Sequence, residues 1–165
     1  MEQKKQWALG PMTGPEAQQV TEWKYPAPYE MYNWDVEDDP AELLDGSYLA
    51  CREEDGALGG FLCFGPNATI PTREDAYRQG YLDIGLGLRP DLCGKGLGQG
   101  FLRLGLEWAR RELGATSFRL AVAQFNTRAQ KVYRACGFRE ISQVTHGITG
   151  ERFVLMVLEP SERRE

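Results

Sequence analysis

Three glycines between an apolar run and a long amphipathic stretch constrain this sequence more than any other feature. The segment Leu86–Gly100 reads LGLRPDLCGKGLGQG, with glycines at positions 94, 96 and 98. Because glycine has no Cβ, the main-chain N–H groups of such a loop can converge on one point. The run Gly80–Leu88 is predicted to be a strand, and Gln99–Leu113 a helix that directs its positive end at the same point. The segment therefore predicts an anion site built from main chain, with a purely structural turn as the alternative.

The spacing of these glycines excludes two common phosphate-binding loops. A P-loop requires G-x-x-x-x-G-K-[ST], which this sequence lacks. A dinucleotide-binding loop needs G-x-G-x-x-G near the start of a βαβ unit, whereas this loop lies past the middle of the chain, after a predicted hairpin at residues 47–64. A nucleotide-binding regulatory domain is disfavoured, because no Ser or Thr follows the glycines to hold Mg²⁺.

A second informative segment, Asn126–Phe138, reads NTRAQKVYRACGF. It predicts a helix over Thr127–Cys136 that is capped by Asn126 and ends at Gly137. Ala129, Val132, Tyr133 and Cys136 fall on one face of that helix. Taken one at a time, Asn126 is an ordinary cap and Tyr133 an ordinary core residue.

Taken together, the two segments resemble the GNAT acetyltransferase superfamily. The loop pattern of that superfamily, R/Q-x-x-G-x-G/A after a strand, matches Arg89–Gly98, except that Cys93 stands where Arg or Gln is usual. The later pattern, N-x-x-A-x-x-x-Y-x-x-x-G-F, matches in every slot at Asn126, Ala129, Tyr133, Gly137 and Phe138. The resemblance covers about Ser47–Leu158, and the first 45 residues match nothing general.

The resemblance implies an N-acetyltransferase that moves an acetyl group by direct transfer from acetyl-CoA to a primary amine of a small molecule, protein or peptide. Tyr133 occupies the position of the general acid, and Asn126 would anchor the pantetheine arm. That arm would pair with the main chain of Leu86 and Leu88, one of which would also polarise the thioester carbonyl. The diphosphate would lie on the amides of Cys93, Gly94, Lys95, Gly96, Leu97 and Gly98. The alternative is a non-catalytic acyl-CoA-binding sensor or interaction module on the same fold.

The attacking amine needs a base, and the sequence offers few groups for that role. Asp83 is the one carboxylate on the predicted cofactor strand and is our candidate, with a solvated strand-end carboxylate as the alternative. His146 lies in the turn of the last predicted hairpin and is a second candidate. Cys93 at a helix N-terminus is chemically able to serve as an acetyl-enzyme nucleophile, but no partner base is in view.

The chain as a whole is predicted to be a single α/β (α+β) domain over residues 1–165. We expect a mixed, mostly antiparallel sheet of six or seven strands flanked by about four helices, because residues 47–64 and 138–158 both resemble hairpins. Residues 1–46 would supply helices and loops around the acceptor, and residues 47–158 the acetyl-CoA-binding core. The first helix is expected to start at Thr13 and end near Trp23.

Five aromatic residues lie close together in the part of the chain that would shape the acceptor site. They predict either a pocket wall for a cationic or flat small molecule or simple packing of the first helices on the sheet. The acceptor itself is left open between a small amine and a protein. The five residues are Trp23, Tyr25, Tyr29, Tyr32 and Trp34.

Composition narrows the partners and the location. Nineteen basic against 24 acidic side chains give a net charge of −5, which argues against a nucleic-acid partner. No apolar run approaches the roughly 18 residues of a membrane span, and the start of the chain, MEQKKQ, lacks the apolar core of a signal peptide. We therefore expect a cytoplasmic protein with no membrane partner. One histidine and four scattered cysteines predict no metal, and a homodimer is left open.

Overall fold

The computed structural model describes residues 6–34 and 40–160, which contain seven strands and three α-helices. The strands are β1 (Ala8–Pro11), β2 (Tyr48–Arg52), β3 (Leu58–Phe64), β4 (Leu82–Leu88), β5 (Phe118–Ala123), β6 (Arg139–Thr145) and β7 (Arg152–Leu158). The α-helices are α1 (Gly14–Glu22), α2 (Gly98–Leu113) and α3 (Thr127–Ala135). Short 3-10 helices lie at Glu30–Tyr32, Pro40–Leu44, Pro66–Ala68 and Pro90–Leu92.

The strands form one mixed sheet in the order β1-β2-β3-β4-β5-β7-β6. Strands β4 and β5 are parallel, whereas β1 with β2, β2 with β3, β5 with β7 and β6 with β7 are antiparallel. The predicted fold class, a single domain with a mixed and mostly antiparallel sheet, is confirmed. The sequence from Asp39 through Pro40 to Leu44 also predicts a short helix. The structure has a 3-10 helix over Pro40–Leu44, and Asp39 itself lies outside the described residues.

One of two compact units within this domain consists of the residues up to Cys63 together with Leu86–Leu97. Its helix α1 begins where predicted, because Thr13 and Glu16 form a capping box in which each accepts a hydrogen bond from the other's main chain. The Glu16 carboxylate also accepts two hydrogen bonds from Arg52 of β2, at 2.6 and 2.7 Å. These bonds lower the pKa of Glu16 from 4.5 to about 2 and join α1 to β2 as an ion pair.

The second unit consists of Phe64–Gly85 and the residues from Gly98 onward. Strand β7 lies between β5 and β6, and its residues Phe153–Val157 are all buried. A strand that is covered on both faces has such a continuous apolar run rather than an alternating one. Helix α2 contributes Phe101, Leu102 and three further residues to the buried core of this unit.

Among the described residues, no helix combines the length and the apolarity that a membrane span requires.

Candidate functional site

The glycine loop, residues Cys93–Leu97, leaves the end of β4 through the 3-10 helix Pro90–Leu92. Its φ angle is −73° at Cys93, +74° at Gly94 and +77° at Gly96. No described residue other than glycine has a positive φ, so Lys95 and Leu97 have negative values and the sign alternates along the loop. Alternation of the sign of φ is a property of loops whose successive N–H groups turn toward one side, the arrangement of an anion-binding nest. Gly94, Lys95 and Gly96 are exposed, so the amides of the loop are accessible to a ligand.

Arg89 fixes the start of this loop, a role that the sequence reading did not assign. Its main-chain N–H donates to the Gly59 carbonyl at 2.8 Å. Its guanidinium donates to the Leu58 carbonyl at 2.9 Å and lies 2.8 Å from the Glu53 carboxylate. A third partner, Asp91, follows two residues later and accepts a hydrogen bond at 3.0 Å. The R-P-D sequence was a signal for the last contact, whereas Glu53 and Leu58 are distant in sequence.

Cys93 turns back toward the end of β4. Its N–H donates to the Pro90 carbonyl at 3.2 Å, and its Sγ lies 3.8 Å from the Leu88 oxygen and 3.7 Å from the Arg89 oxygen. Of the six amides predicted to bind the diphosphate, the Cys93 amide therefore already has a main-chain acceptor. The residue that departs from the family pattern closes the turn before the glycines.

Gly85 and Gly87 interrupt the apolar run of β4, a pattern that predicts a bulge or a close backbone approach, and the close approach is present at Gly87. A Cβ at that position would lie 2.5 Å from the Phe61 ring. Because Arg89 donates its N–H to β3 and main-chain groups alternate along a strand, the groups of Gly87 also face β3. Those of Leu86 and Leu88 face the opposite edge of β4.

The aromatic segment divides between packing and hydrogen bonding. Trp23 is buried and stacks on Phe61 with ring centroids 6.3 Å apart, as the packing alternative expected. Tyr25 is half-buried, and its hydroxyl donates to the Leu88 carbonyl at 2.7 Å. No local sequence pattern indicates this hydrogen bond, since 63 residues separate its partners. Tyr32 is 36% exposed.

In the second unit, the third glycine of the motif has a packing role. Gly98 is the first residue of α2, and a Cβ there would lie 3.2 and 3.3 Å from the two methyl groups of Val132 in α3. Glycine at position 98 therefore lets α2 and α3 approach closely. The φ angle of Gly98 is not positive, unlike those of Gly94 and Gly96.

Helix α3 begins and ends within one residue of the predicted bounds. The Asn126 side chain accepts a hydrogen bond from Ala129 N at 3.0 Å, and Asn126 is only 9% exposed. Tyr133 is half-buried, with its ring centroid 6.2 Å from that of Phe138. Gln130, which the sequence reading missed, is buried and donates to the carbonyls of the end of β5 at 3.2 and 2.9 Å.

The structure places Asp83 in a buried ion pair instead of a solvated strand end. Both of its oxygens accept hydrogen bonds from Arg119 of β5, at 2.7 and 2.8 Å, and the two side chains are 12% and 5% exposed. The Arg119 guanidinium also donates to the Arg78 carbonyl and lies 4.5 Å from the centre of the Tyr77 ring. Both oxygens of the Asp83 carboxylate are therefore engaged by one guanidinium.

The second candidate base, His146, organises a turn. Its Nδ1 accepts hydrogen bonds from the main-chain N–H groups of Ile148 and Thr149, at 3.1 and 3.2 Å. Its ring lies 5.7 Å from that of Phe153. These contacts account for a half-buried histidine in a hairpin turn.

Comparison with known proteins identifies the family. The model of the acetyltransferase (GNAT) family matches residues 15–138, a range that includes the glycine loop and the whole of α3. The chain belongs to this family, as the two motifs predicted.

The individual relatives agree with this assignment. A mycothiol acetyltransferase from Propionibacterium freudenreichii subsp. shermanii is 36% identical over 104 residues, which are 63% of this chain but 30% of that protein. A chimera of the spermidine N-acetyltransferase SpeG from Vibrio cholerae and hSSAT has a TM-score of 0.72 at 17% identity, covering 93% of this chain and 95% of that one. A structure of yncA from Salmonella typhimurium with its cofactor acetyl-CoA has a TM-score of 0.66 at 19% identity and covers 96% of both chains. The structural likeness establishes the shared fold.

Proposed function

We propose that this member of the GNAT acetyltransferase family transfers an acetyl group from acetyl-CoA to a primary amine. The observation that carries the proposal is the alternating sign of φ over Cys93–Leu97, directly before α2, at the place of the family's acetyl-CoA loop. A nest of this kind suits a diphosphate, because several N–H groups and the helix dipole act on the same negative charge.

The cofactor-binding roles follow from that placement. The amides of Gly94–Gly98 bind the diphosphate, while Cys93 closes the turn that precedes them. Leu86 and Leu88 pair with the pantetheine arm through main-chain groups on the edge of β4 that faces away from β3, and Leu88 does so through its N–H, because its carbonyl accepts from Tyr25. Asn126 anchors the same arm while it caps α3. No metal takes part in this proposal.

Acetyl-CoA would supply an acetyl group activated as a thioester. The neutral amine attacks the thioester carbonyl, the C–N bond forms as the C–S bond breaks, the proton lost by the amine passes to water, and CoA leaves as its thiol. The main-chain N–H of Leu86 or Leu88 polarises the carbonyl. The Tyr133 hydroxyl donates a proton to the leaving sulfur, as the family's position for this residue implies. Asp83 is not proposed as the base, since its carboxylate is held by Arg119; its role is to keep that buried guanidinium paired.

The distribution of charge favours an amine as the acceptor. Residues 1–46 contain ten acidic and three basic side chains, whereas the rest of the chain contains fourteen acidic and sixteen basic ones. The net charge of the predicted acceptor region is therefore −7, against +2 for the remainder. A negative region attracts cationic acceptors such as protonated amines and raises their rate of encounter. A cytoplasmic location remains our prediction for the place of this reaction.

Turnover of acetyl-CoA with a panel of amines tests the proposal. We suggest spermidine, kanamycin and a pentapeptide with a free α-amino group, each followed by release of free thiol. Thiol release that depends on one of these amines is expected, and the same pentapeptide with an acetylated N-terminus is the control. Binding of acetyl-CoA by calorimetry with no turnover of any amine would instead support the non-catalytic sensor. Absence of binding would contradict both.

A further inference from the structure

Residues 24–34, named here the acceptor-side loop, fold back on themselves. The Tyr25 N–H donates to Asn33 Oδ1 at 2.6 Å, and Lys24 Nζ donates to the Trp34 carbonyl at 3.2 Å. The two ends of the loop are therefore joined twice. A loop that is closed by its own hydrogen bonds shifts as a unit when one of its attachments is lost.

The hydroxyl of Tyr25 attaches this loop to the end of β4. It donates to the Leu88 carbonyl at 2.7 Å, within the range of a strong O–H···O hydrogen bond. Burial raises the pKa of Tyr25 above its ordinary value, so the hydroxyl remains a donor at any physiological pH. The Sγ of Cys93 lies 3.8 Å from the same oxygen, so the carbonyl of Leu88 is shared by the acceptor-side loop and the glycine loop.

The end of β4 has supports that do not involve Tyr25. The next residue, Arg89, donates its main-chain N–H to Gly59 at 2.8 Å. The Arg89 side chain donates to Leu58 and is paired with Glu53 at 2.8 Å. Loss of the Tyr25 hydroxyl would therefore leave the strand end in place, and the change would fall on the acceptor-side loop.

We propose that Tyr25 is a positioning residue whose hydroxyl holds the acceptor-side loop against the end of β4. The inference rests on the proposed function, in which Leu86 and Leu88 pair with pantetheine and residues 1–46 shape the acceptor site. A loop held to Leu88 is held to β4, the strand that binds the pantetheine arm and so positions the thioester in the proposed site. The hydroxyl of Tyr25 therefore sets the affinity for the amine and has little influence on the affinity for acetyl-CoA.

The substitution Tyr25→Phe removes the hydroxyl and keeps the ring. We expect KM to rise about fivefold for whichever of spermidine, kanamycin and the free pentapeptide is turned over, a factor that corresponds to one net hydrogen bond. The Kd of acetyl-CoA should stay within about twofold, since only the amine contacts depend on the loop. Asn33→Ala, which opens the loop without touching Leu88, should produce the same split between the two ligands.

Tyr48→Phe is the matched control, because the Tyr48 hydroxyl donates to Glu42 at 2.8 Å in the same unit and not to a main-chain group of β4. It should change neither quantity. A rise in the Kd of acetyl-CoA equal to the rise in KM would overturn the proposal, since the strand end would then depend on Tyr25. An unchanged KM in Tyr25→Phe would overturn it as well.

Hydrogen exchange separates this inference from the proposed function. In Tyr25→Phe, the amides of residues 24–34 should exchange faster, while those of residues 86–92 should exchange as before. If the amides of residues 24–34 exchange at the same rate in Tyr25→Phe and in the unaltered protein, the positioning role is overturned whatever the enzyme assay shows. Failure of the unaltered protein to turn over any of the three amines would overturn the proposed function and the kinetic part of the inference, and the exchange data would still decide whether Tyr25 holds the loop.

Discussion

In the proposed site, the glycine loop Cys93–Leu97 and helix α3 act through different parts of the chain. The loop offers main-chain N–H groups, and its geometry depends on positive φ at Gly94 and Gly96. Helix α3 would contribute side chains, the amide of Asn126 at its N-cap and the hydroxyl of Tyr133 about two turns further along on the same face. The loop should therefore tolerate most side-chain changes and few backbone changes, and α3 the reverse.

The largest effect is expected from a backbone change in the loop. Gly96→Val places a β-branched residue at φ +77°, a conformation that it strongly disfavours. A Cβ there would meet no atom within 4 Å, so the cause is the backbone and not a clash. Loss of two charge-assisted amide contacts should weaken acetyl-CoA binding by at least about 100-fold, as measured by calorimetry.

Gly100→Ala is the matched control for that variant. Gly100 lies in the first turn of α2, has no atom within 4 Å of an added Cβ and does not have a positive φ. Alanine should raise stability by about 0.5–1 kcal/mol and leave acetyl-CoA affinity unchanged. Unchanged affinity in a folded Gly96→Val protein would show that the loop is a structural turn.

A side-chain change in α3 should act on rate instead of binding. Tyr133→Phe removes the hydroxyl and keeps the ring beside Phe138. If the hydroxyl donates the proton to the leaving sulfur, kcat should fall by about 10²–10⁴-fold with acetyl-CoA affinity nearly normal. Melting temperature, affinity and turnover measured on this one variant distinguish the roles. A lower melting temperature with full turnover would mark Tyr133 as a packing residue.

The smallest effect is expected from a side-chain change in the loop. Cys93→Ala removes a thiol whose contacts are main-chain oxygens 3.7 and 3.8 Å away. The turn is also closed by the Cys93 N–H, which alanine retains. Acetyl-CoA affinity should therefore change by less than about threefold, because a thiol is a weak donor. Loss of activity with intact binding would instead revive the acetyl-enzyme alternative.

Local sequence patterns predicted much of the secondary structure, including the segments that contain the two motifs. Thr13 and Asn126 cap the helices that they were expected to cap, and the bounds of α1 and α3 agree within a residue. These features depend on neighbours three or four positions away, which a single sequence displays directly. The cofactor roles of the motif residues were carried by resemblance and remain predictions.

Contacts between distant residues could not be predicted in the same way. Asp83 was interpreted as a candidate base or a solvated strand-end carboxylate, because its partner, Arg119, is 36 residues away and its only local signal is a charge within an apolar strand. The hydrogen bond from Tyr25 to Leu88 is hidden for the same reason. In the sequence, Gly98 resembles Gly94 and Gly96. Glycine is needed at position 98 for another reason, because a Cβ there would crowd the Val132 side chain.

The pairing of Asp83 with Arg119 limits how this family member can change over time. Removing either residue leaves a buried charge alone, at a cost of about 3–5 kcal/mol, a large share of the stability of a small domain. Replacing both by apolar residues of similar volume is often close to neutral. Positions 83 and 119 are therefore expected to change together in evolution. Exchanging both residues at once keeps the fold, whereas either single substitution gives a chain that folds poorly.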